Sequence, residues 1–189
     1  MPLREAVASL PVADEDRTGY DREESFGTWT DADRDGCNTR AEVLLDEALQ
    51  APEMTGRCTL TPGTGRWYSW YDDQYVTSPR DLDVDHMVPL AEAWDSGASA
   101  WPRERRVAYA NDLADPRHLV AVTKRSNRQK SDRDPAEWMP DEAVHCRYTA
   151  DWATAKLRYA LSADPAEKRT LTELADGCPN APLTYTPAP

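Results

Sequence analysis

Hydrophobic positions recur along the chain, in some segments with the spacing of a helix and in others with the spacing of a strand. Both kinds of segment occur in the first half. The helical stripe is clearest in TRAEVLLDEALQ (39–50), where Thr39 is a candidate N-cap. TPGTGRWYSWYDD (61–73) predicts a turn followed by an aromatic strand. DLDVDHMV (81–88) alternates hydrophobic and polar residues, as a half-buried strand does. The first half therefore predicts one helix and two strands.

The second half of the chain predicts one more strand among several helices. A proline suits the first turn of PLAEAWDSG (89–97), and RERRVAYANDL (103–113) has helical spacing. HLVAV (118–122) reads as a strand, and TKRSNRQKSD (123–132) as a polar helix capped by Thr123. The segment 148–178 predicts two helices broken at Asp164–Pro165. The pattern as a whole predicts an α+β fold.

The length of 189 residues favours a single folded unit. We expect an acidic lead-in over 1–30, one domain over 31–180 and a Pro-rich tail over 181–189. The sequence MPLREAVASL is too short and too polar for a signal peptide, and no hydrophobic run is long enough to span a membrane. If the protein is secreted, this chain is expected to be the mature form behind an added Met1.

The net charge of −12 argues at first against a nucleic-acid partner. The charges are unevenly placed, however. Residues 1–60 carry 6 basic and 14 acidic side chains, whereas residues 103–133 carry 9 basic and 4 acidic ones. Because phosphate binding depends on a local basic face, the total charge does not exclude DNA or RNA.

The chain has four cysteines: Cys37, Cys58, Cys146 and Cys178. None has the C-x-x-C spacing of a zinc or redox site. Three pairings are open, of which Cys37–Cys58 with Cys146–Cys178 closes the shortest loops; four reduced thiols are the alternative. Disulfides would indicate an oxidising compartment.

A carboxylate, two histidines and an amide fall on the predicted strand–strand–helix segment. Asp85 and His86 end the first strand, His118 begins the second, and Asn127 lies on the helix. Phosphodiester hydrolysis needs an activated water and charge neutralisation at the phosphate, and a histidine with a pKa near ~6.5 accepts a proton at neutral pH. Carboxylate and amide oxygens are ligands that Mg²⁺ or Mn²⁺ accepts.

Several motifs in this order resemble the secreted HNH endonucleases of high-GC Gram-positive bacteria, also called ββα-metal or His-Me finger nucleases. The resemblance covers most of the chain. It rests on DHMVPLAEAW (85–94), the R-x-x-x-A-N-D pattern (106–112), HLVAV (118–122), NRQKSDRDPAEWMP (127–140) and, upstream, DRDGCNTRAEVL (33–44).

The resemblance implies a ββα-metal core at about 81–133, with additional helices and disulfides. It further implies a general base, His86, and one divalent metal, Mg²⁺ or Mn²⁺, held by Asp85 and Asn127. The central position of the family motif, nine residues before Asn127, is His118. His118 would orient the base, act as a third metal ligand or be a core histidine.

The resemblance also implies a DNA substrate, or RNA, bound by basic side chains. The helix and the residues after it supply five: Lys124, Arg125, Arg128, Lys130 and Arg133. Arg106 would bind the scissile phosphate or support the fold. Since no separate base-reading module is visible, we expect cleavage with little sequence specificity. We expect a secreted monomer with no membrane association and no obligate protein partner.

A second motif supports a different function: DADRDGCNTRAE (31–42) fits the calcium-loop template D-x-D-x-D-G-x5-E. Its ligand positions hold Asp31, Asp33, Asp35 and Glu42. The alternative is an acidic turn that caps the following helix. On this basis the competing function is a calcium-binding extracellular module with a catalytically decayed nuclease core.

Overall fold

The computed structural model describes residues 1–189 as a mixed α+β fold with eight helices and three small antiparallel sheets. The helices are α1 (Leu3–Ser9), α2 (Arg22–Phe26), α3 (Thr39–Asp46), α4 (Leu90–Asp95), α5 (Arg103–Ala110), α6 (Lys124–Lys130), α7 (His145–Tyr159) and α8 (Pro165–Gly177). The strands are β1 (Met54–Thr55), β2 (Thr59–Leu60), β3 (Trp67–Ser69), β4 (Gln74–Val76), β5 (Leu82–His86) and β6 (Leu119–Thr123). Each sheet has two strands: β1–β2, β3–β4 and β5–β6.

The β5–β6 pair separates two hydrophobic cores. The register runs from Leu82 opposite Thr123 to His86 opposite Leu119. Because side chains alternate across a strand, one face places Leu82, Val84, Leu119 and Ala121 in a small core with Val43, Leu44 and Trp67. Val120 and Val122 point the other way, into a core of 24 residues. The predicted strands at 81–88 and 118–122 are thus confirmed, and they lie at the centre of the molecule.

The N-terminal segment is part of the large core. Leu3, Val7, Leu10 and Phe26 are all buried there. The first three are spaced three or four residues apart, so α1 presents one hydrophobic stripe to α7 and α8. Residues 1–30 are therefore folded against the domain, although their acidic composition predicts a lead-in outside it.

Helix ends agree with the sequence at two places and differ at a third. Thr123 caps α6 by accepting a hydrogen bond from the Ser126 N–H, and Asp164 caps α8 in the same way. At α3 the cap is Asn38 rather than Thr39. The Thr39 hydroxyl instead donates to the Thr30 carbonyl, which ties the preceding loop to the helix.

Two disulfides link distant elements in the pairing that closes the shortest loops. Cys37–Cys58 joins the acidic loop to the β1–β2 hairpin, and Cys146–Cys178 joins the start of α7 to the end of α8. No cysteine is free. The C-terminal tail also packs on the domain, since the Leu183 N–H donates to the Met1 carbonyl at 2.7 Å. None of the helices combines the length and the hydrophobicity that crossing a membrane requires.

Candidate functional site

A polar cavity of about 420 Å³ opens at the end of β5. Asp85 and His86 line it from the strand, and Asn127 lines it from α6. The remaining lining residues are Tyr20, Arg22, Val84, Pro89, Leu90, Ala91, Arg128, Ser131 and Asp132. Three of the side chains that the sequence singled out are thus brought together at one surface depression.

His86 is held in one orientation by the backbone and by an aromatic ring. Its Nε2 lies 2.9 Å from the Ala110 carbonyl, which can only accept, so Nε2 carries the hydrogen and Nδ1 is left free to accept a proton. The Trp29 ring is stacked on the imidazole, with centroids 5.2 Å apart and planes 3° from parallel. Burial lowers the pKa of His86 well below its usual value, so the ring is neutral at pH 7.

His118 lies beside His86 but does not line the cavity. Its Nε2 donates to the Tyr109 carbonyl at 2.7 Å, and its ring packs edge-on to the Tyr109 ring at 4.6 Å. The two histidines therefore bind consecutive carbonyls at the end of α5. His118 thus binds the carbonyl next to the one that holds His86. Burial also lowers the pKa of His118.

Asp85 faces away from His86, toward α6 and α7. Lys130 donates to its Oδ2 in a buried ion pair, and the Tyr71 hydroxyl donates to the same oxygen at 2.7 Å. Burial raises the pKa of Asp85, and the Lys130 ammonium opposes that rise. Neither contact uses Oδ1. The carboxylate is thus fixed in position with one oxygen left for another ligand.

Asn127 is oriented by a carboxylate on β5. Its Nδ2 donates to Asp83 Oδ2 at 3.0 Å, so the carboxamide oxygen is not used by this contact. Asp83 and Asp85 lie on the same face of β5, and Asn127 and Lys130 are one helical turn apart on α6. The strand and the helix therefore interlock through two polar pairs that flank the cavity.

The unused donor atoms are both oxygens, the type of ligand that suits a hard divalent ion. Asp85 and Asn127 offer one unused oxygen each, at a polar cavity that has room for waters and a phosphate. Oxygen ligands with open positions are what Mg²⁺ prefers, since it keeps several waters of its own. His118 is turned into the protein and is not among these donors.

Comparison with known proteins places the chain in a family. Residues 40–174 match the family described as GmrSD restriction endonucleases, C-terminal domain. The chain belongs to this family. The matched residues include Asp85, His86 and Asn127 of the cavity and also His118, so these four side chains lie inside a nuclease-related domain.

The chain is also similar to a protein whose name describes it as secreted. A protein of Arthroderma benhamiae, named "Uncharacterized secreted protein", is 40% identical over 143 residues, which are 75% of this chain and 68% of the relative. No solved structure matches the chain.

The basic residues of this GmrSD-family domain divide into two groups. Arg125, Arg128 and Arg133 are exposed, and Arg128 also lines the cavity. Lys124 is half-buried beside them. Lys130 has no exposed surface, and its ammonium donates to Asp85 and to the carbonyls of His86 and Met87. Its place in the structure is that of a support for Asp85, where no DNA phosphate reaches it.

Arg106 lies outside the cavity and binds backbone carbonyls. It donates to the Ser25 carbonyl at 3.1 Å and to three carbonyls of the 98–101 turn after α4, including that of Trp101. These contacts fix α2 and the 98–101 turn against α5. Of the two roles that the sequence left open for Arg106, the geometry favours support of the fold.

Three residues at or next to the cavity lie outside the motifs found in the sequence. Arg22 and Tyr20 line it from the N-terminal segment, and Trp29 covers the back of His86. All three precede the residues that match the family. Arg22 is an exposed basic side chain that lines the cavity together with His86, which suits a phosphate contact. The sequence feature that could have indicated a role for this segment is its aromatic and basic residues, which stand among acidic ones.

The acidic loop before α3 has the local geometry of a turn closed by carboxylates. The Gly36 N–H donates to Asp31, the Asp35 N–H to Asp33 and the Cys37 N–H to Asp35. Gly36 has φ +103°, a left-handed conformation that other residues rarely adopt. One oxygen from each of Asp31, Asp33 and Asp35 lies within 4.8 Å of the others.

Proposed function

We propose that this chain is a secreted, metal-dependent endonuclease with a ββα-metal core, hydrolysing DNA or RNA with little sequence specificity. The supporting observation is that Asp85, His86 and Asn127 line one cavity while the Ala110 carbonyl leaves Nδ1 of His86 free. Membership of the GmrSD family supports nuclease chemistry. The secreted relative and the two disulfides support an extracellular location.

His86 acts as the general base in this proposal. A neutral imidazole with Nδ1 toward the cavity takes a proton from water as that water attacks phosphorus. The stacked Trp29 ring and the Ala110 carbonyl hold the ring in place, and His118 holds that carbonyl through the adjacent residue. The bound Nε2–H also stabilises the positive charge that develops on the ring, because it is shared with a carbonyl oxygen.

Asp85 and Asn127 hold one divalent metal, Mg²⁺ or Mn²⁺, through their unused oxygens. Such an ion neutralises charge on the phosphate and helps the leaving oxygen depart. Lys130 and Tyr71 keep Asp85 oriented for this role, and Asp83 does the same for Asn127. The exposed arginines of α6, with Arg22, contact phosphates on either side of the cut. Phosphate contacts carry no sequence information, so cleavage is largely nonspecific.

The test is the cleavage of supercoiled plasmid, linear duplex, single-stranded DNA and RNA, each with Mg²⁺, with Mn²⁺ and with EDTA. The proposal predicts metal-dependent cleavage of at least the DNA substrates, at many positions in each. Protein that is folded and disulfide-bonded yet leaves every substrate intact with either metal contradicts it. That result would favour the second function, a calcium-binding module with a decayed nuclease core.

Calcium binding at the 31–42 loop remains a prediction of its own. The three aspartates are close together, and their charges, after burial, contribute to raising the pKa of Glu42, the residue at the last ligand position. Asp33→Asn should abolish a calcium-binding event seen by calorimetry if this loop binds the ion. If calcium binding is unchanged in that variant, the loop is an acidic turn that closes the entry to α3.

A further inference from the structure

Five carboxylates form two groups of three that share Glu15, a residue of the N-terminal segment. They come from four parts of the chain: Glu15, between α1 and α2; Glu92 and Asp95, on α4; Asp134, after α6; and Asp164, before α8. Glu15 belongs to two groups of three, one with Glu92 and Asp95 and one with Asp134 and Asp164. Within each group, one oxygen per side chain lies within 4.8 Å of the other two.

The ion pairs around this group leave it with excess negative charge. Arg17 pairs with Asp95 and with Asp132, and Lys156 pairs with Glu92 and with Glu167. Two cations thus serve seven carboxylates, since Glu15, Asp134 and Asp164 have no ion pair. Partial desolvation inside the group, with the nearby carboxylates, raises the pKa of Glu15 and that of Asp134 to about 7, although most of the Glu15 side chain stays exposed.

An unpartnered oxygen points independently to a missing ligand. The Asp95 side chain is only 1% exposed, and its Oδ2 is bound by Arg17 at 2.7 Å. Its Oδ1 is buried with no hydrogen-bond partner. A buried carboxylate oxygen without a partner is costly, and it lies in the side chain that meets Glu15 and Glu92. A cation among these three carboxylates would satisfy it.

The donor set specifies the class of ion. All five groups offer oxygen, and the group includes no histidine or cysteine, which disfavours zinc and copper. Ca²⁺ binds six to eight oxygens at roughly 2.3–2.6 Å, so two oxygens bound to one ion are separated by at most about 5 Å. Each group of three meets that condition, since its oxygens lie within 4.8 Å of one another, and the two groups share Glu15.

We propose that Glu15, Glu92, Asp95, Asp134 and Asp164 form a calcium site centred on Glu15, separate from the catalytic cavity and from the 31–42 loop. The ion joins the N-terminal segment to α4 and to the chain that follows α6. Both elements line the cavity, and Arg17, two residues after Glu15, pairs with Asp132 at its edge. The site is therefore a clamp that stabilises the cavity's surroundings, and a nuclease-inactive protein would still bind calcium there.

The test is calcium binding by calorimetry and melting temperature on the full chain. At calcium concentrations about 100-fold above Kd, the melting temperature of the wild type should rise by roughly 5–10 °C. Glu15→Gln should lose most of that rise. Glu15 is exposed, so the variant is expected to fold, and Asp95→Asn provides a second variant at a buried ligand.

Two controls separate this site from the other candidate sites. Asp33→Asn alters the 31–42 loop and Asn127→Ala alters the catalytic cavity, and both should keep the calcium-induced rise. The proposal is overturned if calcium leaves the melting temperature of the wild type unchanged, or if the rise survives in both Glu15→Gln and Asp95→Asn. It is also overturned if Asp33→Asn alone abolishes the rise, since the ion then binds the loop.

Discussion

At the scale of single residues, the proposed function depends on the orientation of a few side chains. Backbone carbonyls and a buried ion pair hold these side chains in place. His86 is oriented by one carbonyl and His118 by the carbonyl before it. Asp85 is oriented by a buried ammonium and a phenol. The residue types were readable from the sequence, because carboxylate, imidazole and amide suit metal-assisted hydrolysis. Their orientation was not, since the carbonyls and Tyr71 that fix it are distant along the chain.

The acidity of His86 leads to a prediction for the pH dependence of cleavage. Burial lowers its pKa well below the usual value, so the base is already neutral at pH values where an exposed histidine is half protonated. The rate constant kcat/KM should therefore stay flat as pH falls through about 6.5 and decline only at lower pH. A profile that loses half its activity near pH 6.5 or above would contradict a buried, neutral base.

Replacement by methionine should strongly destabilise the protein at Lys130 but hardly change its stability at the neighbouring Arg128. Lys130→Met leaves the buried Asp85 carboxylate without its ion pair, which should lower the free energy of unfolding by about 3–5 kcal/mol. Arg128→Met changes an exposed side chain and should alter stability by less than about 0.5 kcal/mol. Urea denaturation measures both. Equal, small effects would show that Lys130 is not the support of Asp85.

At the scale of elements, strands and helices with clear periodicity were predictable, and the packing between them was not. β5, β6 and α6 fall where the hydrophobic pattern and the Thr123 cap place them. The acidic composition of residues 1–30 hides the stripe of Leu3, Val7 and Leu10, which packs in the large core. In the cavity, only the part formed by β5 and α6 was predictable, because Arg22 lines it, and Trp29 stacks on His86, through tertiary contacts.

The end of α3 is joined to β6 by one carboxylate, and that contact should depend on pH. Both oxygens of Glu47 accept from the Ala121 N–H at 3.1 Å, and burial raises the pKa of Glu47 to about 7. Because the folded state holds this proton more tightly than the unfolded state, the contribution of Glu47 to stability falls as pH rises from about 4.5 to 7.

Glu47→Gln isolates this effect from all other titrating groups. The amide still accepts from Ala121 but does not ionise. The melting temperature of the variant minus that of the wild type should therefore increase between pH 5 and pH 8. A difference that stays constant, or that decreases over this range, would show that Glu47 titrates normally in the folded protein.

At the scale of the whole molecule, the proposed function pairs a chain of net charge −12 with a polyanionic substrate. The acidic groups are spread over the N-terminal half and the carboxylate cluster, whereas Arg125, Arg128 and Arg133 are exposed on one side of α6 and after it. The total charge by itself argued against a nucleic-acid partner. The local clustering of basic side chains is what made such a partner a reasonable prediction. Binding should thus be weak, local and sensitive to salt.

The basic face can be tested with a matched pair of charge reversals. Arg128→Glu should weaken DNA binding for all sequences alike and reduce the slope of log K against log salt by about 1 or more. Arg169→Glu makes the same change at an exposed position on α8 and should have little effect. If both variants lose affinity equally, DNA responds to total charge and not to the face around the cavity.

The central claim is that His86 is the base of a nuclease site, and the most direct measurement compares two histidine variants. His86→Ala should reduce the cleavage rate of plasmid DNA by roughly 10²–10⁴-fold while metal binding, measured by Mn²⁺ calorimetry, is retained through Asp85 and Asn127. His145→Ala removes the histidine that lies outside the cavity and bonds to the Pro140 carbonyl, and it should cleave at the wild-type rate. Near-wild-type cleavage by folded His86→Ala protein would contradict the account.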